Sequence, residues 1–142
     1  MLIKEIMTKS VETVRPDAIL AEAAGKMKQL NVGALPVYDG ELLMGMLTDR
    51  DIVVRSTANG DDPKDAKVKD VMSTEVQSCY DDEELDAVAE QMKAKKVRRI
   101  PVITRENSLA GMVSLGDIAD RGNSSLAEET LEKVSEPSEP ER

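Results

Sequence analysis

The apolar positions of the chain fall into two helical stripes, each followed by two strand-like runs. Leu20, Ala23, Ala24, Met27 and Leu30 recur at three- and four-residue spacing, as do Leu85, Val88, Ala89 and Met92. That period places each set on one face of a helix. A strand of buried type follows each stripe, Ala34–Tyr38 and Arg99–Ile103. A tight turn (Asp39-Gly40; Arg105-Glu106-Asn107) then leads to a second strand over 42–47 and 109–113. Pro36 and Pro101 lie inside the first strands. A proline lacks the ladder donor, so these strands are expected at a sheet edge or with an irregular position. Ahead of each stripe a short segment (3–7; 68–72) runs into an extended one (11–14; 76–79), and Asp17 or Asp81-Asp82 is expected to cap the helix. Second helices are expected from Thr48 and Ser114.

The two halves are copies. At an offset of 65, Lys4, Met7, Val11, Asp17, Leu20, Ala24, Met27, Lys28, Val32, Pro36 and Val37 all meet identical residues, eleven of the thirty-eight pairs from position 3 to 40. Composition alone gives roughly two or three. After one extra residue, Leu43, Gly45, Met46, Asp51 and Ile52 meet Leu109, Gly111, Met112, Asp117 and Ile118 at offset 66, with Thr48 opposite Ser114. The repeating unit reads β-α-β-β-α, a mixed α+β pattern too small to bury both faces of its helices alone. Two copies are therefore expected to share a core, sheet against sheet, about a pseudo-twofold axis. The expected organisation is repeat 1 over 1–57, a turn-rich linker over 58–67, repeat 2 over 68–122 and an acidic tail over 123–142. In the tail a short helix over 126–134, capped by Ser124 or Ser125, precedes a low-complexity stretch, 135–140, expected to be disordered.

Composition narrows the function. The 142 residues include no His, Trp or Phe, a single Cys and two Tyr. Without His there is no usual serine or cysteine triad and no His-ligated zinc. One cysteine excludes an internal disulfide and any CxxC site, and Cys79, which meets Val14 in the duplication, reads as a small buried hydrophobe. Six of the eight methionines, Met7, Met27, Met46, Met72, Met92 and Met112, together with Met44, occupy matched apolar or strand positions, so packing is expected rather than a soft-metal site; no metal is expected. The net charge of −9 repels a phosphate backbone, and two aromatics make a poor stacking platform, so nucleic acid is an unlikely partner. No apolar run approaches the roughly 18 residues of a membrane span, and Met1-Leu2-Ile3-Lys4-Glu5 does not open like a signal peptide. The cytoplasm is the expected compartment. Carboxylates are plentiful, but none is paired with a nucleophile, histidine or metal cluster, so no enzyme is expected.

Several motifs recur in order in both halves: Met7-Thr8 and Met72-Ser73; Ala34-Leu35-Pro36-Val37 and Arg99-Ile100-Pro101-Val102; Gly45-Met46-Leu47-Thr48-Asp49-Arg50-Asp51-Ile52 and Gly111-Met112-Val113-Ser114-Leu115-Gly116-Asp117-Ile118. Over about 120 residues this resembles the CBS domain, named after cystathionine β-synthase, and its tandem, the Bateman module. The resemblance implies a regulatory sensor that binds AMP, ADP, ATP or S-adenosylmethionine in clefts between the repeats, with no required cofactor. It also implies a homodimer, a flat disc of four repeats, and a regulated protein partner that the sequence does not identify. Apolar residues assigned to the outer helix faces, Ala23, Leu30, Val53 and Val88, support that dimer. The competing reading is a structural or adaptor pair that acts through protein contacts without a nucleotide.

Thr48-x-x-Asp51 and Ser114-x-x-Asp117 have a plain explanation as capping boxes. In the resemblance they match the ribose-binding motif, where a carboxylate accepts hydrogen bonds from a 2′,3′-diol; capping and binding do not exclude each other. In the basic run 93–99, Lys93, Lys95 and Lys96 suit a helix C-terminus. Arg99 stands directly before Ile100-Pro101, where nucleotide-binding relatives hold phosphate, whereas the first repeat has Ala34. The two clefts are thus expected to be unequal. The resemblance completes the cleft of Asp117, Ser114 and Arg99 with Thr8, Val11, Val32, Gly33 and Ala34. It completes the cleft of Asp51, Thr48 and Arg50 with Ser73, Val76, Val97 and Arg98. Val32 and Val97 are expected as apolar walls for adenine. Gly33 reads equally as a steric allowance in the cleft or as a turn glycine at the helix exit.

Overall fold

The computed structural model describes residues 1–136; the disorder expected for 137–140 lies outside the described residues. The helices are α1 (Leu20–Leu30), α2 (Asp49–Arg55), α3 (Val68–Val71), α4 (Leu85–Lys95), α5 (Leu115–Asp117) and α6 (Ser124–Val134), and the strands are β1 (Ala34–Tyr38), β2 (Leu43–Thr48), β3 (Cys79–Tyr80), β4 (Arg99–Ile103) and β5 (Leu109–Ser114). Short 3-10 turns form at Ile3–Glu5 and Thr57–Asn59, and a π turn at Ile118–Gly122 continues α5. The mixed α+β fold with two small sheets is the one the sequence pattern predicts. None of the described helices is long and apolar enough to cross a membrane.

The compact units are not the sequence repeats. One unit, here the Asp51 unit, comprises 12–76 with 107–109; the other, the Asp117 unit, comprises 1–11, 77–106 and the chain from 110 on. The lead-in segment of each repeat is thus built into the unit that holds the other repeat's strands. In the Asp51 unit, Val68 and Val71 of α3 join Val14, Leu20, Ala23, Met27, Leu35, Val37 and Leu47 in one buried cluster. In the Asp117 unit, Ile3, Ile6 and Met7 join Leu85, Val88, Met92, Ile100, Val102, Val113 and Ile118. Each unit thus has its own buried cluster, completed by a borrowed segment, where the sequence reading expected a single core.

Backbone hydrogen bonds explain the exchange. Thr8 and Met112 bridge in both directions, Thr8 N–H to the Met112 carbonyl at 2.8 Å and Met112 N–H to that of Thr8 at 3.0 Å. Ser73 and Met46 do the same, both at 2.9 Å. The segments approach so closely that a Cβ on Gly111 would overlap the Thr8 carbonyl oxygen, and one on Gly45 that of Ser73. These two glycines are therefore required by close backbone approach rather than by a turn.

The same economy caps the long helices, and here expectation fails. Asp17 and Asp82 do not cap α1 and α4; the residues before these helices are Ile19 and Glu84, with no side-chain cap. Backbone carbonyls do the work instead. Leu20 N–H donates to Ala66 and Ala21 N–H to Pro63, both at 2.9 Å, and Leu85 N–H donates to Met1 at 2.9 Å. The stretch expected as a free linker therefore satisfies donors that α1 would leave unpaired. Asp82 is engaged elsewhere: Arg105 grips it through Nε (3.0 Å) and Nη2 (2.8 Å) and lays its guanidinium 4.0 Å from the centre of the Tyr80 ring. That forked bond holds the Asp82 carboxyl below its ordinary range.

Other expectations are corrected by packing. β4 is the central strand of a three-stranded sheet in the order β3-β4-β5. Of the two expectations for the proline strands, an edge or an irregular position, the edge therefore fails for Pro101, while β1 with Pro36 shifts register between Val37 and Tyr38. The neighbour of β4, β3, is two residues long and starts opposite Val102, one residue beyond Pro101. In the other sheet Pro36 offers only its carbonyl, to Val14 N–H at 3.0 Å, so neither proline leaves a ladder bond unmade. Ala24 and Leu30 of the first stripe are exposed, whereas Ala23 and Val88, expected on outer faces, are fully buried. Leu30 and Val53 remain exposed, as expected. Met44 is exposed on β2 rather than packed. The tail helix is capped by Asn123, whose Oδ1 accepts Leu126 N–H at 3.1 Å, and not by either serine. It packs on α4, burying Ala127 and Thr130, and Glu129 accepts a 2.9 Å bond from Lys93. The Lys93 ammonium is thus a tie between helices. Cys79 is buried as expected, and burial pushes its thiol up to about 12.

Two outcomes follow. Ile6→Ala, at a residue 1% exposed, is expected to cost about 2–5 kcal/mol in urea unfolding. Hydrogen exchange should show the lost protection in 85–118, the unit that receives Ile6, and not in 20–52, its own repeat; the reverse pattern would refute the exchange. The second concerns Arg105→Gln. Because the folded state lowers the Asp82 pKa, the stability this pair supplies exists above the ordinary carboxylate value and disappears as pH falls through the lowered one. The gap between wild type and Arg105→Gln in chemical denaturation should therefore narrow from about pH 5 to pH 3. A constant gap would show that the ion pair contributes nothing.

Candidate ligand-binding sites

Both units build the same arrangement around one carboxylate. In the Asp117 unit, β5 delivers Ser114 to the start of α5, where its Oγ accepts Asp117 N–H at 3.1 Å. Asp117 Oδ2 accepts Ser114 N–H in return at 2.9 Å. This reciprocal cap occupies one oxygen. The other, Oδ1, accepts the Thr8 hydroxyl at 3.2 Å and lies 3.8 Å from Arg121 Nη2. In the Asp51 unit, Thr48 Oγ1 accepts Asp51 N–H and Asp51 Oδ2 accepts Thr48 N–H, both at 3.0 Å, with Arg55 Nε 3.8 Å from Oδ1. The Asp51 and Asp117 side chains are only 12% and 13% exposed. The capping reading is therefore correct and leaves a second, partly shielded carboxylate oxygen per unit for a hydroxyl donor.

The Thr8–Met112 bridge puts Thr8 against the Asp117 carboxylate, and the Ser73–Met46 bridge places Ser73 on β2 two residues before Thr48. Val11 and Val76, further along the same segments, are half-buried. Arg98 and Arg99 are exposed at the start of β4, and the Arg98 carbonyl accepts Leu115 N–H at 3.0 Å. The Asp51 unit repeats that contact with Gly33, whose carbonyl accepts Asp49 N–H at 2.9 Å, while Ala34 stands opposite Thr48 in the β1–β2 register. Val32 packs on the core of the Asp51 unit and Val97 on that of the Asp117 unit. Arg50 is exposed on α2. The structure thus brings Thr8, Val11, Val97, Arg98, Arg99, Ser114 and Asp117 into one unit, and Val32, Gly33, Ala34, Thr48, Arg50, Asp51, Ser73 and Val76 into the other.

Gly33 is not the exit glycine of α1. The left-handed residue there is Asn31, with φ 55°, and Lys96 plays that part after α4 with φ 53°. A Cβ on Gly33 would stand 3.0 Å from Asp49 Oδ2, so its neighbour is an acidic side chain. Asp49, the first residue of α2, turns its Oδ1 to Arg50 N–H at 2.8 Å; the matching residue in the other unit is Leu115.

Three residues escaped the sequence reading: Asp49, Arg55 and Arg121. For the two arginines a signal existed, because Asp-Ile-x-x-Arg occurs at 51–55 and again at 117–121, at the offset of the duplication.

Comparison with known proteins identifies the family and the fold. The family model of the CBS domain matches residues 3–56 and 68–123. The CBS domain-containing protein YhcV of Bacillus subtilis is 45% identical over 117 residues, covering 82% of each chain. The crystal structure of Hypoxic Response Protein I with two coordinated zinc ions is 34% identical, with a TM-score of 0.75 over 84% of this chain and 97% of that one. A crystallised CBS domain pair in complex with 5′-methylthioadenosine and S-adenosyl-L-methionine is 28% identical, with a TM-score of 0.68 over 84% and 93% of the two chains. The chain therefore belongs to the CBS-domain family and carries two CBS domains in tandem.

Proposed function

We propose that this chain is a non-catalytic regulatory module that binds an adenosine-containing ligand, AMP or ATP ahead of S-adenosylmethionine, and reports it to a protein partner. The repeats, 1–57 and 68–122 joined by 58–67, supply one carboxylate each, and in this reading the protein works in the cytoplasm as a homodimer. One observation carries the proposal. Each capping carboxylate spends a single oxygen on its helix and leaves the other 3.8 Å from a guanidinium, with the Thr8 hydroxyl donating to it in the Asp117 unit. A ribose diol is a pair of such donors on adjacent carbons, spaced for a shielded carboxylate. The adenosine compounds held by the related CBS pair belong to the same chemical class.

Charge distinguishes the two sites. The Asp117 unit adds Arg98 and Arg99 at the strand start and the neutral Leu115, and the Asp51 unit has Gly33, Ala34 and the acidic Asp49 at the matching positions. A phosphate gains forked, charge-assisted contacts from Arg99 and meets repulsion beside Asp49. The Asp117 site is therefore the tighter one for nucleotides.

Calorimetry with AMP and with adenosine tests this on wild type, Arg99→Ala and Asp117→Ala. Arg99→Ala should weaken AMP about tenfold, or 1.4 kcal/mol, and adenosine little, because the guanidinium addresses phosphate. Asp117→Ala should weaken both through the ribose. Equal losses for AMP and adenosine in Arg99→Ala would remove the phosphate assignment. Failure of wild type to bind any adenosine compound would favour the adaptor reading, with no nucleotide.

A further inference from the structure

The same arginine device occurs in both units and nothing assigned so far explains it. Arg121, one helical turn after Asp117, donates through Nη1 to the carbonyls of Ile6 (3.0 Å) and Met7 (3.2 Å) and brings Nη2 to 3.8 Å from Asp117 Oδ1. Arg55, one turn after Asp51, donates through Nη1 to the carbonyls of Val71 (3.2 Å) and Met72 (3.4 Å) and brings Nε to 3.8 Å from Asp51 Oδ1. The carbonyls it grips belong to the two residues immediately before Thr8 and Ser73. Two independently diverging copies preserve the geometry although α2 is a regular helix and α5 gives way to a π turn.

We propose that Arg55 and Arg121 are positioning residues that tie each site carboxylate to the exchanged lead-in segment, so that ligand occupancy is read out by movement of 3–11 and 68–76. The inference rests on the adenosine-site reading above. Each guanidinium spans the carboxylate oxygen left over by the cap and the backbone that carries the site hydroxyl; in the Asp117 unit the Thr8 hydroxyl joins the same two groups directly. In that unit, Oδ1 accepts the Thr8 hydroxyl at 3.2 Å and faces Arg121 Nη2 as an ion pair at 3.8 Å, beyond hydrogen-bond length. A ribose hydroxyl that donates to the same oxygen displaces or shares the Thr8 bond and weakens the attraction between Oδ1 and the guanidinium. Binding therefore shifts Arg121 from its ion pair with Asp117 towards the carbonyls of Ile6 and Met7. The Thr8–Met112 bridge lies directly beyond, so the change reaches a segment whose Ile3, Ile6 and Met7 are core residues of the unit. Coupling of this kind is reciprocal: what loosens the segment changes ligand affinity by the same factor that the ligand changes the segment. The lead-in segments, rather than the outer helix faces, become the surface a partner would sense.

The test uses the full chain as wild type, Arg121→Gln, Arg121→Lys, and Arg105→Gln as a control whose ion pair lies outside both sites. Amide exchange of Thr8 and Met112 is followed without ligand and with saturating adenosine, and adenosine affinity is measured by calorimetry. In the ligand-free protein, Arg121→Gln should speed exchange at Thr8 and Met112 several-fold, Arg121→Lys less so, and Arg105→Gln not at all. Adenosine should alter exchange at 6–9 in wild type, and that response should vanish in Arg121→Gln, with affinity lowered about tenfold. Unchanged exchange of Thr8 and Met112 in ligand-free Arg121→Gln, or an adenosine response in that variant equal to wild type, overturns the proposal. If wild type binds no adenosine, the proposed ligand is wrong and the readout falls with it, whereas the tie itself is still decided by the ligand-free exchange. A global loss of protection in Arg121→Gln, shared with Arg105→Gln, would mark a structural role only and also overturn it.

Discussion

The two-way backbone bridge between each lead-in segment and the middle of a second strand is the constraint on which the rest depends. It requires glycine at 45 and 111, since any side chain there would occupy the space of the Ser73 or Thr8 carbonyl. It seats Ile6 and Met7, or Val68 and Val71, over strands and helices that the local repeat leaves uncovered. It also brings the Thr8 or Ser73 hydroxyl beside the strand that ends in the capping Ser114 or Thr48, with the carboxylate three residues on. Core, cap and candidate site are consequences of one pairing, and a change that weakens it acts on all three. This coupling of packing to chemistry suits a module whose output is conformational.

Much of this architecture could be read from the chain because its signals are local. The helical period of Leu20, Ala23 and Met27, and of Leu85, Val88, Ala89 and Met92, depends only on neighbours within two turns, and those residues are buried as the period predicts. The strand–cap junctions at Thr48 and Ser114 are equally local, because the cap residue and its acid are three positions apart. What failed is long-range. Nothing near Leu20 or Leu85 announces that carbonyls at 63, 66 and 1 would satisfy their N–H groups, so the nearest aspartates were expected as caps. Nothing near Pro101 shows that its neighbour strand begins one residue too late to need its missing donor. Ala24 and Ala89 are identical residues at matched positions, yet one is exposed and the other buried. Helix α6 packs on α4, in the second repeat alone.

The candidate site shows the same division. The carboxylates, their capping hydroxyls, and Thr8 and Ser73 were visible as motifs because the duplication prints them twice. The resemblance paired Thr8 and Val11 with Asp117 and Ser73 and Val76 with Asp51, and each set lies in one unit; Val32, Gly33 and Ala34, grouped with Asp117, lie in the Asp51 unit, and Val97 and Arg98, grouped with Asp51, lie in the Asp117 unit. Gly33 illustrates the cost. Of its two equal readings, turn glycine or steric allowance, the turn reading fails because Asn31 adopts the left-handed conformation, and a Cβ on Gly33 would stand 3.0 Å from Asp49 Oδ2.

A duplication also supplies an internal control, since each residue can be compared with its counterpart in the same fold. Both copies keep the hydroxyl–carboxylate cap, the close-approach glycine and the arginine one turn after the acid. Where they part, the change concentrates around the carboxylate and on the helix beyond it. At matched positions Arg99 corresponds to Ala34 and Leu115 to Asp49, so the two copies differ in charge next to their caps. Further along the same helices, Val53 and Val54, 57% and 49% exposed, correspond in the duplication to Ala119 and Asp120. Selection for stability alone gives no reason to alter charge beside one buried cap and leave the other, because both caps make the same bonds at the same lengths within 0.1 Å. A difference in what the two carboxylates meet gives such a reason. Under the adenosine-site proposal, the divergence fits two copies of one device with unequal occupants better than it fits drift in a structural repeat.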